Sequence, residues 1–257
     1  MKILFVGDVF SKLGRETLAR NIKKIKEEQK INFIIINGEN ITHGKGMNEG
    51  HYKWLLEQGA NVITLGNHSF QQRSIFNFID DVNNVVRPYN LENVPGKGYV
   101  TINYNGIKIT VFQMIGKVLM DDTIPSPFEK TKELLENVDS DIFICDFHAE
   151  TTSEKIAFGY AFDGQVHAIL GTHTHVQTSD GRILENGTAF ITDVGMTGPL
   201  DGVIGVEKSI IIDRYVNGGR HRFDPQETGK TQFSAVIIEI NETTKKVTKF
   251  DTIYVIE

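Results

Sequence analysis

A single cysteine, Cys145, occurs in 257 residues, which excludes a disulfide framework and suits a reducing compartment. It lies in the apolar run 141–147 and reads as a small buried hydrophobe. No segment approaches the roughly 18 apolar residues that a membrane helix needs. The opening MKILFVGDVF has too short an apolar stretch for a signal segment and runs into Gly7-Asp8. It therefore predicts a first strand, and a cytoplasmic location is expected. Basic charge is scarce as well. A net charge of −6 gives no general electrostatic reason to bind nucleic acid or an anionic membrane. Repeats, low-complexity tracts and linkers are absent, so residues 1–257 are expected to form one domain.

What is present is a rhythm of short apolar runs and helical patterns. Residues 2–6 read as a strand, 15–30 as an amphipathic helix and 33–36 as a second strand. A helix at 48–58 and a strand at 62–65 follow, and this βαβαβ order predicts an α/β core. Asn105-Gly106 and Asn186-Gly187, each between two apolar runs, predict hairpins with type I′ turns. Buried strands are expected at 142–147 and 167–170, and two closing strands at 233–240 and 247–255. That many strands fit two mixed sheets packed together with helices outside.

In open α/β sheets, ligands bind beyond the carboxyl ends of the strands. Asp8 follows the first strand, Glu39 and Asn40 the second, and Asn67 and His68 the third. His148 follows 142–147, His173 and His175 follow 168–170, and Asp193 follows 189–192. Gly7, Gly38, Gly66 and Gly171 share these turns and permit close backbone approach. A lone Asp or His in such a turn is ordinary turn chemistry. Repetition at one strand end after another points instead to a single polar site. Within GTHTH (171–175), His173 and His175 share a face if the chain is extended.

Carboxylates, carboxamides and imidazoles without thiolate suit Mn, Fe, Zn or Ni rather than Ca or a structural zinc. They outnumber the ligands of one tetrahedral ion, whereas two ions sharing a bridging carboxylate would use them fully. Such a pair, ~3.5–4 Å apart, clamps both attacking and leaving oxygens in phosphoester hydrolysis.

Gly7-Asp8, Gly38-Glu39-Asn40, Gly66-Asn67-His68, His148 and Gly171-Thr172-His173-Thr174-His175 resemble the calcineurin-like metallophosphoesterases. The usual pattern there is Asp-x-His, Gly-Asp, Gly-Asn-His, a lone His and Gly-His-x-His. This chain departs at Phe10, where a second ligand is usual, and at Glu39-Asn40, where Asp is usual. Those departures, with DFHAETTSEK (146–155), GTHTHVQTSDGRI (171–183) and TDVGMTGP (192–199), are similar to the YmdB-like phosphodiesterases over essentially the whole chain. One local difference is Ser69-Phe70-Gln71, where that branch has Thr-Trp-Asp.

The resemblance implies a four-layer αββα sandwich of two mixed sheets. It implies one metal held by Asp8, Glu39, Asn40 and His175, and another by Glu39, Asn67, His148 and His173. Glu39 would bridge, Asn40 would replace the coordination that Phe10 cannot supply, and His68 would be the proton donor. The implied reaction is phosphodiester hydrolysis, with 2′,3′-cyclic nucleotides as substrates and a metal-bound hydroxide attacking in line. Two divalent ions are expected, iron or manganese ahead of zinc.

Other features compete less well. Residues 38–45 have the glycines and lysine of a P-loop, but the spacing is one residue too long and Gly46 stands where Ser or Thr is needed. Residues 42–48 read instead as a loop near the site, with His43 as a substrate contact. Thr151 and Asp193 are further substrate-contact candidates. Residues 151–154 have the form of a capping box opening a helix. His51, His167 and His221 fall outside the pattern and read as structural. Residues 208–215 read as core or an oligomer contact, and 195–198 as a wall over the metals. The rival reading is a regulatory protein- or RNA-binding module whose metals are structural. A homo-oligomer and an unidentified regulatory protein partner stay open.

Overall fold

The computed structural model describes residues 1–257. Strand β1 (Lys2–Val6) leads into α1 (Ser11–Gln29), β2 (Phe33–Asn37), α2 (Glu49–Glu57) and β3 (Val62–Thr64). The short β4 (Val85–Val86) precedes β5 (Tyr99–Tyr104), β6 (Ile107–Ile115), α3 (Pro127–Asn137), β7 (Ile142–His148) and α4 (Thr152–Ala161). Then come β8 (Ala168–Thr172), β9 (Arg182–Ile183), β10 (Ala189–Ile191), β11 (Gly198–Pro199), α5 (Lys208–Asn217), β12 (Thr231–Ile240) and β13 (Val247–Ile256). The first sheet has the order β11-β12-β1-β2-β3-β4 with β13 on the far side of β12, and the second has the order β5-β6-β7-β8-β10-β9. Strands β1 to β4 run parallel in the first, as do β6, β7, β8 and β10 in the second.

Both faces of the central strands are buried, which is why they read as continuous apolar runs. Ile3 and Phe5 of β1 meet Ile109, Val111, Ile142 and Ile144 in the core between the sheets. Their neighbours Leu4 and Val6 turn outward against Leu18, Ile22 and Ile25 of α1 and Leu55 of α2. On the other outer face, Phe143, Cys145 and Phe147 pack on Leu134 of α3, on Phe158 of α4 and on Phe162 just beyond it. Helix, sheet, sheet and helix therefore form four layers, the expected αββα sandwich. No helix is long and apolar enough to cross a membrane.

Local departures have identifiable causes. At the first hairpin, Asn105 (φ 52°) and Gly106 (φ 86°) both have the positive φ of a type I′ turn. In the second, only Gly187 does; the Leu184 amide bonds to the Thr188 carbonyl, so the loop is longer and the strands shorter. The capping box does not form. Glu154 instead accepts the backbone N–H groups of Lys117 and Val118 at 2.9 and 3.1 Å, and the Thr151 hydroxyl has no partner. Residues 208–215 are not core. They belong to α5, which buries only Ile211 and leaves Ile212, Tyr215 and Val216 exposed.

Candidate metal centre

Parallel strands of both sheets end at the same edge of the sandwich, so their carboxyl-terminal turns meet there. Asp8, Glu39 and His148 are fully buried, and His175 is nearly so. One ligand atom each from Glu39, His148 and His173 lies within 4.8 Å of the others. Glu39 Oε2 is 3.2 Å from His148 Nε2, which also faces Asn67 Oδ1 at 2.9 Å and His173 Nδ1 at 3.0 Å. On the opposite flank, His175 Nε2 is 3.1 Å from Asn40 Nδ2 and 3.8 Å from Asp8 Oδ1. Asn40 Nδ2 donates to Asp8 Oδ1 at 3.3 Å, so ligation through Oδ1 requires its amide turned over. Phe10 takes no polar role; its ring packs edge-on against His175, centroids 5.6 Å apart.

The outer nitrogen of each histidine is held by oxygen. His148 Nδ1 donates to Thr172 Oγ1 at 2.8 Å, and that hydroxyl donates onward to Asp146 at 2.6 Å. His173 Nε2 meets Glu150 at 3.0 Å, and His175 Nδ1 donates to the Ile204 carbonyl at 2.8 Å. In their neutral forms the rings would therefore turn the inner nitrogens as lone pairs toward one another and Glu39, the orientation that such outer hydrogen bonds give metal-binding histidines. Glu39 supplies the complement. Both its oxygens are buried and accept no well-aligned hydrogen bond, and the His148 imidazole 3.2 Å from Oε2 is the nearby group able to balance the charge in the absence of a cation. The donor set and its geometry therefore fit divalent metal.

The electrostatics agree. Burial pushes the Asp8 carboxyl up against the pull of His175 and His148. Burial also opposes ionisation of Glu39, but His148, His68 and His173 together hold its carboxyl below the ordinary value. His148, pushed down by burial, is raised to about 9 by Glu39, Asp8 and Asp146. Burial and the adjacent His148 take His173 down to about 3. One proton is thus concentrated where a divalent ion would sit, and binding must displace it.

Gly66 makes the crowding possible. A Cβ there would stand 1.4 Å from Glu39 Oε2 and 2.7 Å from His148 Cε1. Gly66→Ala is accordingly expected to weaken metal retention by at least the roughly 10–100-fold that disturbed outer contacts cost. Elemental analysis after dialysis against a weak chelator measures this; normal metal content would show that the turn can yield without disturbing Glu39.

A polar layer supports the centre from below. Fully buried Asp146 accepts from Asn37 of β2, Thr64 of β3 and Gln113 of β6, at 2.9, 2.5 and 3.1 Å. Burial raises its carboxyl to about 6. Asp193 does not line the cavity over the centre. It is fully buried, accepts from Lys155 Nζ at 2.7 Å and binds the amide and hydroxyl of Thr174, pinning the loop between the two histidines. Thr151 does not line the cavity over the centre. Nor does 195–198 form a wall there; Thr197 instead bonds through its backbone to Asp8 and Phe10.

The cavity, about 400 Å³, is lined by Glu39, Asn40, His43, Lys45, His68 and Glu150, among others. His43 therefore lies where a substrate contact was expected. His68 is half-buried with Nδ1 unpartnered, and burial lowers its pKa. His51 bonds to Thr42, His167 to the Phe143 amide and His221 to Asp213, structural roles as expected. Glu150 was missed, although it stands two residues beyond His148, the spacing that puts side chains on one face of extended chain. Phe223 and Pro225, on the apolar wall, carry no sequence signal.

Two mixed sheets enclosed by helices, with this histidine–carboxylate cluster at their carboxyl ends, define a metallophosphoesterase-type protein. Residues 4–253 match the YmdB-like protein family, and the chain belongs to it. It is 47% identical over 259 aligned positions to the 2′,3′-cyclic-nucleotide 2′-phosphodiesterase of Bacillus subtilis (strain 168), covering 99% of this chain and 97% of that protein. A solved structure of a Mycoplasma pneumoniae protein described as a novel phosphatase superimposes with a TM-score of 0.95 at 39% identity, covering 100% of this chain and 93% of that one. A hypothetical protein from Thermus thermophilus superimposes with a TM-score of 0.94 at 33% identity, covering 100% of both chains.

Proposed function

We propose that this chain is a dinuclear-metal phosphodiesterase acting on phosphodiesters, 2′,3′-cyclic nucleotides in particular. The observation that carries the reading is Glu39, a fully buried carboxylate without a well-aligned hydrogen bond that clusters with His148 and His173, whose far nitrogens are held by oxygen. The activity named for the 47%-identical relative supports the substrate class. Asp8, Glu39, Asn40 and His175 would hold one divalent ion, and Glu39, Asn67, His148 and His173 the other. Iron or manganese fits this oxygen–nitrogen set, with zinc as the third choice. When bound, such a pair supplies charge neutralisation at both the attacking and leaving oxygens of an in-line displacement.

The remaining chemistry belongs to the chain. His68, in the cavity wall beside Glu39 and Asn40, is positioned to deliver a proton to the leaving ribose oxygen. The single-domain reading treats all 257 residues as one catalytic unit in the cytoplasm. A purely structural cluster in a regulatory module has no need of a histidine in the cavity wall, which favours the enzyme over that rival.

The purified protein is expected to bind about two transition-metal ions per chain and to lose diesterase activity on strong chelation. Mn²⁺ should restore it. Elemental analysis combined with a phosphoester panel tests both claims. Full activity in metal-free protein would overturn the assignment, and one ion or none after reconstitution would overturn the dinuclear form.

A further inference from the structure

We infer that the cavity beside the centre holds a nucleobase-stacking shelf, built on Phe223 and walled by Phe10, Ile204, Val206 and Pro225. The inference rests on the diesterase reading and adds the part of the substrate that the centre does not touch. The cavity lining is mixed: Glu39, Asn40, His68 and His175 supply polar groups, and these five residues supply apolar surface. A cyclic nucleotide has the same division, with phosphate at one end and a flat aromatic base at the other. About 400 Å³ falls within the range of small-molecule sites, roughly 300–1,000 Å³.

The apolar wall is built and fixed. Val206 pairs with Pro225 through backbone, the Glu207 amide bonds to the Asp224 carbonyl at 3.0 Å, and the Gln226 amide to the Gly205 carbonyl at 2.8 Å. Gly205, at φ 96°, lies so close to Phe10 that an added Cβ would meet its ring at 2.7 Å. The Ile204 carbonyl is the acceptor that orients His175. Wall and centre therefore share a hydrogen bond, which fixes the distance between a held phosphate and anything resting on the wall. Phe10, at the position where a ligand is absent, becomes part of the floor.

Phe223 remains 39% exposed in the cavity lining, so part of its ring is accessible to a ligand. The Arg214 guanidinium lies 5.0 Å from its ring centroid, holding the ring in place. Stacking of a base on such a ring tolerates any base, because every base presents a π-face. The shelf thus predicts preference for nucleotides over baseless esters with little discrimination among bases.

The test compares kcat/KM for 2′,3′-cyclic AMP with that for methyl β-ribofuranoside 2′,3′-cyclic phosphate, which has the ester but no base. In the wild type the nucleotide should be the better substrate. Phe223→Ala should reduce the ratio of the two by roughly 5- to 100-fold, mainly through KM for the nucleotide. Phe223→Tyr should keep the ratio, and Phe223→Leu, which retains apolar area without the π-face, should fall between; it carries the test if the alanine variant fails to fold. Equal wild-type efficiency on both esters, or a ratio that survives Phe223→Ala and Phe223→Leu, leaves the diesterase intact and overturns the shelf. If the metal-loaded wild type hydrolyses neither ester, the diesterase reading falls and the shelf with it.

Discussion

Glu39→Gln is expected to strip the centre of most of its metal and to abolish most hydrolysis. Glu39 is fully buried, and its oxygens accept no well-aligned hydrogen bond, with the His148 imidazole 3.2 Å away. The amide keeps the shape, removes the negative charge and turns an N–H donor toward nitrogens that must carry lone pairs. A terminal ligand lost from one ion leaves the other held, whereas loss of a bridge disturbs both. The effect should therefore exceed the roughly 10–100-fold that loss of an outer-sphere partner costs. Asn40→Ala is the control, because Asn40 reaches only the flank of Asp8 and His175. It should preferentially weaken one ion, leaving about one per chain after mild dialysis. Elemental analysis and diesterase rates on both variants, with thermal melting to exclude unfolding, make the comparison. Equal and mild losses would show that Glu39 does not bridge.

The reason Glu39 could be picked from the sequence also explains what could not. Asp8, Glu39, Asn67 and His148 each follow a short apolar run, and parallel strands bring such positions to one edge whatever their separation in sequence. Asp193 obeys the same rule and yet is structural, because Lys155 of α4 reaches it from 38 residues away. A strand-end position cannot reveal a partner supplied by another layer. Thr151 and Glu154 had the spacing of a cap, but the unpaired amides of Lys117 and Val118 competed for the Glu154 carboxylate and won. Helix α3 escaped notice although Ser126 caps it and Pro127 opens it, a pairing typical of helix starts. Its buried face is narrow, only Pro127, Thr131 and Leu134, so little apolar period showed. Phe223 lies beyond α5 in a stretch without motif or period, and only its backbone pairing near Val206 brings it to the cavity.

His68 should separate the chemistry from the metal. It lines the cavity, and its buried Nδ1 has no partner. His68→Ala is therefore expected to retain close to the normal metal content while slowing hydrolysis by roughly 10²–10⁴-fold where the leaving group is poor. A ribose alkoxide leaves poorly and needs the proton; nitrophenolate is stable without it. The defect should be large with 2′,3′-cyclic AMP and much smaller with bis-p-nitrophenyl phosphate, under conditions where the chemical step limits both rates. Metal loss in the variant would make His68 a ligand or the support of one. Equal slowing on both esters with metal retained would mean that the imidazole holds the phosphate and donates no proton. Only unequal slowing with metal retained identifies the general acid, because leaving-group basicity is the one property through which a proton donor, and not a binding contact, distinguishes the two substrates.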